Sequence, residues 1–174
     1  MCGGRKENKM SVNSEQRQKS PTQFLDTAAE LAEFSLRKCK KFPTRWGREI
    51  TDSIRADALG IMSNTKQGNS VFVKTAGDAA LRRRFMMTAH AQLQSLVSTI
   101  GLAEKLFPLC GYLNRDEDGK KKKELTQEEK EKLEAEEKRR SRKIMEQWTA
   151  LIYKENNLLK EVIRSDWERF KDMK

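Results

Sequence analysis

Arginine is the residue type in this chain best suited to recognition chemistry. Arg82, Arg83 and Arg84 stand together near the start of one segment, LRRRFMMTAHAQLQSL at Leu81–Leu96. Arg48 and Arg55 sit two helical turns apart in a second, KKFPTRWGREITDSIRADALGIMSNTKQGN at Lys40–Asn69, and therefore share a face of a helix. Planar guanidinium forks match the oxygens of phosphate bidentately. With Lys38, Lys40 and Lys41, these residues are candidates for contact with a polyanion, flanked by Arg37 and Arg45. Such binding is salt-sensitive and weak in sequence preference. The competing reading is that these cations simply solvate helix surfaces.

Total charge points the same way. The chain carries 36 Lys+Arg against 26 Asp+Glu, a net +10 with an isoelectric point near 9.6, so a polyanion is the first partner to consider. Residues 1–113 hold 18 basic and 10 acidic residues, whereas residues 114–174 hold 18 and 16. The excess thus lies in the first part of the chain. The conspicuous runs Lys120–Lys123 and Lys138-Arg139-Arg140 are surrounded by acids and read as solubilising surface.

Catalytic chemistry has little to stand on. The single histidine, His90, lies beside Met86, Leu93 and Val97 and reads as a packed or interface residue. No second histidine, activated nucleophile or carboxylate pair accompanies it, so the expectation is a protein that is not an enzyme. Cys2, Cys39 and Cys110 are odd in number and lack metal-ligand or disulfide spacing, which suits a reducing compartment. Gly3-Gly4 lacks the spacing of a phosphate loop. No cofactor or metal is expected. Apolar runs stay well short of the roughly 20 residues that span a bilayer, and the polar N-terminus lacks a secretory pattern, so a cytoplasmic location is expected.

The elements that must position these residues are helical. Hydrophobic and charged residues each make up 36% of the chain, and Pro and Gly are few, which suits helices burying one stripe each. Residues 1–19 read as a disordered tail. Ser20-Pro21 marks a helix start, with Phe24, Ala28, Leu31, Ser35 and Cys39 as its stripe up to about Lys41. Phe42-Pro43-Thr44 restarts the chain into a second helix to about Lys66, with Trp46, Ile50, Ile54, Ala58 and Ile61 inward and Gly68 as its stop. Val71–Val73 is a weak strand candidate that a loop explains as well. A third helix, about Gly77 to Phe107, has the stripe Leu81, Phe85, Ala89, Leu93, Leu96, Ile100, Ala103 and Phe107, with Met86 and Met87 as core filler.

After the turn at 115–124, Thr126 and Glu129 form a capping-box pattern, and one helix can run to about Asp172. Its first third, Thr126–Lys143, has only Leu133 as a large apolar residue. It is either a solvated extension supported by pairs such as Glu128–Lys132, or partly disordered. The core pattern resumes at Ile144 with Trp148, Leu151, Ile152, Leu158, Leu159, Val162, Ile163 and Phe170. The expected architecture is all-α: an antiparallel up-and-down four-helix bundle with a long charged extension before the last helix. Residues 20–113 supply three helices, 114–143 the charged loop and extension, and 144–174 the fourth helix. Trp46, Trp148 and Trp167 are expected at helix or subunit contacts. Trp167, Phe72 and Phe34 fall outside the main stripes and suggest a subunit interface.

These residues also carry a family resemblance. Phe42-Pro43, Ile54-Arg55-Ala56, Ala58 and Asn64-Thr65-Lys66-Gln67-Gly68 resemble motifs of the four-helix-bundle proteins encoded in ribosomal-RNA intervening sequences. Arg84-Phe85-Met86, Ala89, Leu93 and Leu96 look like that family's Arg-Phe-Leu helix, and Gly111-Tyr112-Leu113 falls where its Gly-Tyr-Leu turn does. The likeness covers roughly residues 24–113 and the final helix from Ile144; the head and residues 114–143 lie outside it. Gln67-Gly68 replaces the family's Glu-Gly. That departure and the basic balance are similar to the accessory variability determinant (Avd) proteins of diversity-generating retroelements. The resemblance implies a basic homopentamer that binds template RNA, or an RNA/DNA hybrid, together with a reverse transcriptase. A structural or ribosome-associated RNA-binding bundle, and a protein-interaction adaptor using Thr126–Lys143, are the other readings.

Overall fold

The computed structural model describes residues 22–40, 42, 44–106 and 127–173, with the backbone alone at 44–47, 106, 129, 130, 133, 134, 137 and 141. Four helices make up the described residues: α1 (Gln23–Cys39), α2 (Thr44–Ser70), α3 (Ala76–Leu106) and α4 (Gln127–Phe170). No strand occurs among them; 71–74 is an irregular link, so the strand candidate at Val71–Val73 is a connection instead. Strong contacts join α1 to α2, α2 to α3, α3 to α4 and α4 back to α1, a closed ring of helix pairs.

The buried stripes explain the ring. On α1, Phe24, Ala28, Leu31, Ala32, Ser35 and Cys39 are inward at three- and four-residue spacing. Ile54, Ala58 and Ile61 do the same on α2, joined by Thr51 and Thr65. Each buried Leu or Ile side chain contributes about 1.5–3 kcal/mol by leaving water. On α4, Ile144 and Met145 are the first residues to pack against the core, and Trp148 is the first that is fully buried. Its ring meets Phe34 edge-on at 5.8 Å, and its Nε1 donates to Ser35 Oγ at 3.1 Å. A buried indole N–H needs such a partner, and the small Ser35 leaves room for the ring.

Two sequence expectations need correction. Gly68 does not end α2: the helix continues to Ser70, and Gly68 is buried inside it. A Cβ there would stand 2.8 Å from Met86 Cε and 3.2 Å from Phe85 Cβ, so this glycine lets α2 approach α3 closely. The α3 stripe is also rotated by about one residue at its start. Met86 is fully buried, while Leu81 is 45% exposed and Met87 is exposed. The operative series is Ala79, Arg82, Met86, Ala89, Leu93, Leu96, Ile100, Ala103, spaced alternately by three and four residues.

A capping box that the sequence reading overlooked starts α3. Asp78 N donates to Thr75 Oγ1 at 3.2 Å, and Asp78 Oδ2 accepts from Thr75 N at 2.9 Å and Lys74 N at 3.1 Å. The Thr75 hydroxyl, followed by these backbone amides, holds the Asp78 carboxyl below its ordinary value. The Thr126–Glu129 box and the Ser20-Pro21 start lie outside what is described. The extension at the head of α4 is helical, and every described side chain from Gln127 to Lys143 is exposed. Arg140 reaches Glu136 there, whereas Glu128 and Lys132 form no ion pair with each other.

Candidate functional site

The eight candidate cations take very different positions. Arg82 lies on the buried stripe of α3, where its Nε donates to Asp166 Oδ2 of α4 at 2.7 Å and its Nη1 to the Gly68 carbonyl of α2 at 3.0 Å. The two side chains are only 17% and 8% exposed. The Arg82 guanidinium therefore ties three helices together. A charge-assisted bond of this kind satisfies both ions where water cannot.

One residue on, Arg83 is half-buried and stacks over Trp167, its Cζ 4.2 Å from the ring centroid. Arg84, the third of the run, is exposed and makes no ion pair among the described residues. Three adjacent arginines thus divide into a clamp, a ring-stacked cation and a solvated cation, as the 100° step of a helix requires.

Arg55 is half-buried and faces Asp52 at 3.6 Å, a solvent-screened i,i+3 pair worth well under about 1 kcal/mol. Arg48 and Lys40 are exposed and form no ion pair among the described residues. Lys38 Nζ sits 5.0 Å from the Phe34 ring centroid. Lys41 lies outside the described residues. Arg48 is twenty residues before Gly68 on α2, or about 30 Å along the helix, while Arg84 is two residues from Met86, the α3 partner of Gly68. Lys38, Lys40 and Arg48 therefore gather near the junction of α1 with α2, and Arg83 and Arg84 lie near the start of α3. The arginines do not form one compact patch.

Asp166 and Glu155 are buried acids on α4 that its apolar pattern does not reveal. Trp148, Ile152, Glu155, Leu159, Val162 and Asp166 follow one another at three or four residues, so both acids fall on the buried stripe. Asp166 has Arg82. Glu155 is fully buried and neither carboxylate oxygen has a hydrogen-bond partner. Burial pushes its carboxyl up to about 8, opposed by the nearby Lys154 ammonium, so it is neutral inside the fold near pH 7.

Cys39 is likewise closed off, its thiol pushed up to about 12 by burial, which leaves it a poor nucleophile. His90 Nε2 is 3.1 Å from Asn156 Oδ1, a link between α3 and α4.

Two concavities open on this framework. One, of about 690 Å³, lies where Phe24 of α1, the 71–73 link and the end of α4 meet, with Arg82 and Asp166 in its wall. The other, of about 550 Å³, runs between α3 and α4 past Met87, His90, Ile163 and Trp167. Among the described residues, no group of three or more His, Cys, Asp or Glu is arranged to hold a metal ion, and no helix is long and apolar enough to cross a membrane.

Comparison with protein-family models, with curated proteins and with solved structures gives no match.

Proposed function

We propose that the chain is a basic, non-enzymatic RNA-binding protein whose four helices form an antiparallel up-and-down bundle. The few residues that separate α1 from α2 (40–43) and α2 from α3 (71–75) in sequence, and the ring of helix contacts, support that topology. The observation that carries the functional reading is the set of exposed cations that form no ion pair among the described residues, Lys40, Arg48 and Arg84, on a chain of net charge +10. An unpaired surface cation is available to a phosphate without first giving up a partner. Arg82 belongs to the scaffold of this site rather than to its contact surface.

The motif likeness described above extends the proposal to an accessory protein of a diversity-generating retroelement, acting as a homo-oligomer with template RNA and a reverse transcriptase. Exposed large apolar residues, among them Phe72, Leu102 and Tyr153, support self-association. The test is RNA binding by fluorescence anisotropy across a salt series, with sizing of the free protein and co-purification with a candidate reverse transcriptase. The expected result is affinity that falls steeply with salt, and falls further when Arg48 and Arg84 are changed to Ala. Absence of RNA binding at low salt would reject the reading.

A second reading, a protein-interaction adaptor, is favoured by the exposed helical extension Gln127–Lys143, whose described side chains pack on no core. Deleting that extension would then abolish partner capture while leaving RNA affinity unchanged.

A further inference from the structure

Trp167 is 58% exposed near the end of α4, an expensive place for an indole unless something covers it. The guanidinium of Arg83 covers one side of the ring. Arg83 does not border the α3–α4 groove, whereas Trp167 does, together with Met87 and Ile163, so another part of the indole is open to that groove. The cations Lys160 and Arg164 stand beside it on α4, both exposed. Arg164 is 3.9 Å from Glu168, a screened surface pair that a phosphate can replace. The groove, of about 550 Å³, thus joins an aromatic face, the apolar side chains of Met87, Ala91 and Ile163 and the cations Lys160 and Arg164, with His90 and Glu168 also in its wall, a combination that suits a nucleobase and its phosphates.

We propose that this groove binds an unpaired base of a single-stranded nucleic acid, stacked on Trp167, with Lys160 and Arg164 meeting the flanking phosphates. The inference rests on the polyanion reading above and adds to it a preference for single strands, because the bases of a duplex are stacked on each other and cannot reach the indole. Arg83 holds the ring in place by a cation–π contact. The lining is mainly apolar and its His90 is already engaged with Asn156, so stacking there tolerates any base.

The experiment uses the full chain with two RNA probes, an oligouridylate of about 12 nucleotides, within the usual range of single-strand site sizes, and a duplex of the same length. Anisotropy is measured for wild type, Trp167→Ala, Trp167→Phe and a Lys160→Ala/Arg164→Ala double variant. Circular dichroism verifies each fold, and Trp167 is exposed enough that its loss leaves the core intact.

Trp167→Ala should weaken single-strand binding by on the order of tenfold or more, with duplex affinity and the salt slope unchanged, and Trp167→Phe should recover most of the loss. The double variant should flatten the salt slope on the single strand. Equal single-strand affinity of wild type and Trp167→Ala would overturn the stacking site while leaving the general RNA reading standing. Failure of wild type to bind either probe would overturn both. If Trp167→Ala instead breaks an oligomer in light scattering and lowers both affinities alike, the groove is a subunit interface and the proposal is wrong.

Discussion

Replacing Glu155 by Gln should make the protein more stable in alkali and leave it nearly unchanged in acid. An ordinary carboxyl titrates near 4.5, whereas Glu155 in its buried position titrates near 8. Between those values the folded chain holds a proton that the unfolded chain releases, so stability falls as pH rises through this window. The contribution is fully present below about pH 4.5 and is lost as pH passes 8. At about 1.4 kcal/mol per pH unit, the upper limit of the effect is about 4–5 kcal/mol, and relaxation around the ionised carboxylate reduces it.

Gln matches the neutral acid in size and keeps an uncharged polar head in the same place. The assay is urea unfolding followed by helical dichroism at pH 5, 7 and 9, comparing wild type with Glu155→Gln. The two curves should nearly coincide at pH 5, and the variant should gain by several kcal/mol at pH 9. The difference between the curves isolates Glu155, because all other groups titrate in both proteins. Parallel pH profiles, or a variant weaker than wild type at pH 9, would refute the reasoning that the carboxyl is held neutral by burial.

Removing one member of the Arg82–Asp166 pair leaves the other ion partly buried and uncompensated, so Asp166→Ala should lose about 2–4 kcal/mol in chemical denaturation. Arg82→Met with Asp166→Leu should recover much of that loss, and an additive double variant would show that the two side chains do not act as a pair. Gly68→Ala should destabilise by about 1–3 kcal/mol through overpacking against Met86 and Phe85. Gly60→Ala should be nearly neutral, because the group in its way is the flexible end of Gln92 and Ala adds about 1 kcal/mol of helix propensity. Equal melting temperatures for these two variants would contradict the close approach at Gly68. Asp78→Asn should lower the melting temperature at pH 7 but not at pH 2. The Asp78 carboxyl titrates below its unfolded value, so its contribution exists above that value and disappears as the pH falls through the folded one.

Helix number and approximate bounds were legible because each helix carries a periodic stripe and the breaks at Phe42-Pro43 and 71–75 interrupt it. The phase of α3 was not. Leu81 and Phe85 outweigh Met86 on any hydropathy count, yet the observed series admits Arg82 at a core position, which makes sense only once Asp166 is known to face it. That partner lies 84 residues away in sequence, on another helix. Gly68 misled for a similar reason. A glycine near a helix end and a glycine at a helix crossing look identical until the crossing helix is placed. The eight cations are equal candidates for polyanion contact in the sequence because charge is visible there and pairing is not. Only the geometry separates the clamped Arg82 from the solvated Arg84. The buried acids on α4 could have been found by asking which polar residues fall on the stripe Trp148–Asp166, a question that periodicity alone can pose.

The four helices differ in length, with a mechanical consequence. Forty-four residues make α4 about 66 Å long, against about 26 Å for the 17 residues of α1. The 17 residues of α4 from Gln127 to Lys143 precede Ile144, the first residue of the helix that packs against the core, so about 26 Å of helix stands beyond its anchor like a lever beyond its pivot. A tilt of α4 by about 10° at Ile144 would sweep the free tip through about 4–5 Å on an arm of that length. The other end of the same rod carries the Asp166 clamp and the indole of Trp167. A pull on the tip is thus delivered as torque across the core, and spin-label distances from Lys132 to a site on α2 would measure how far the arm swings.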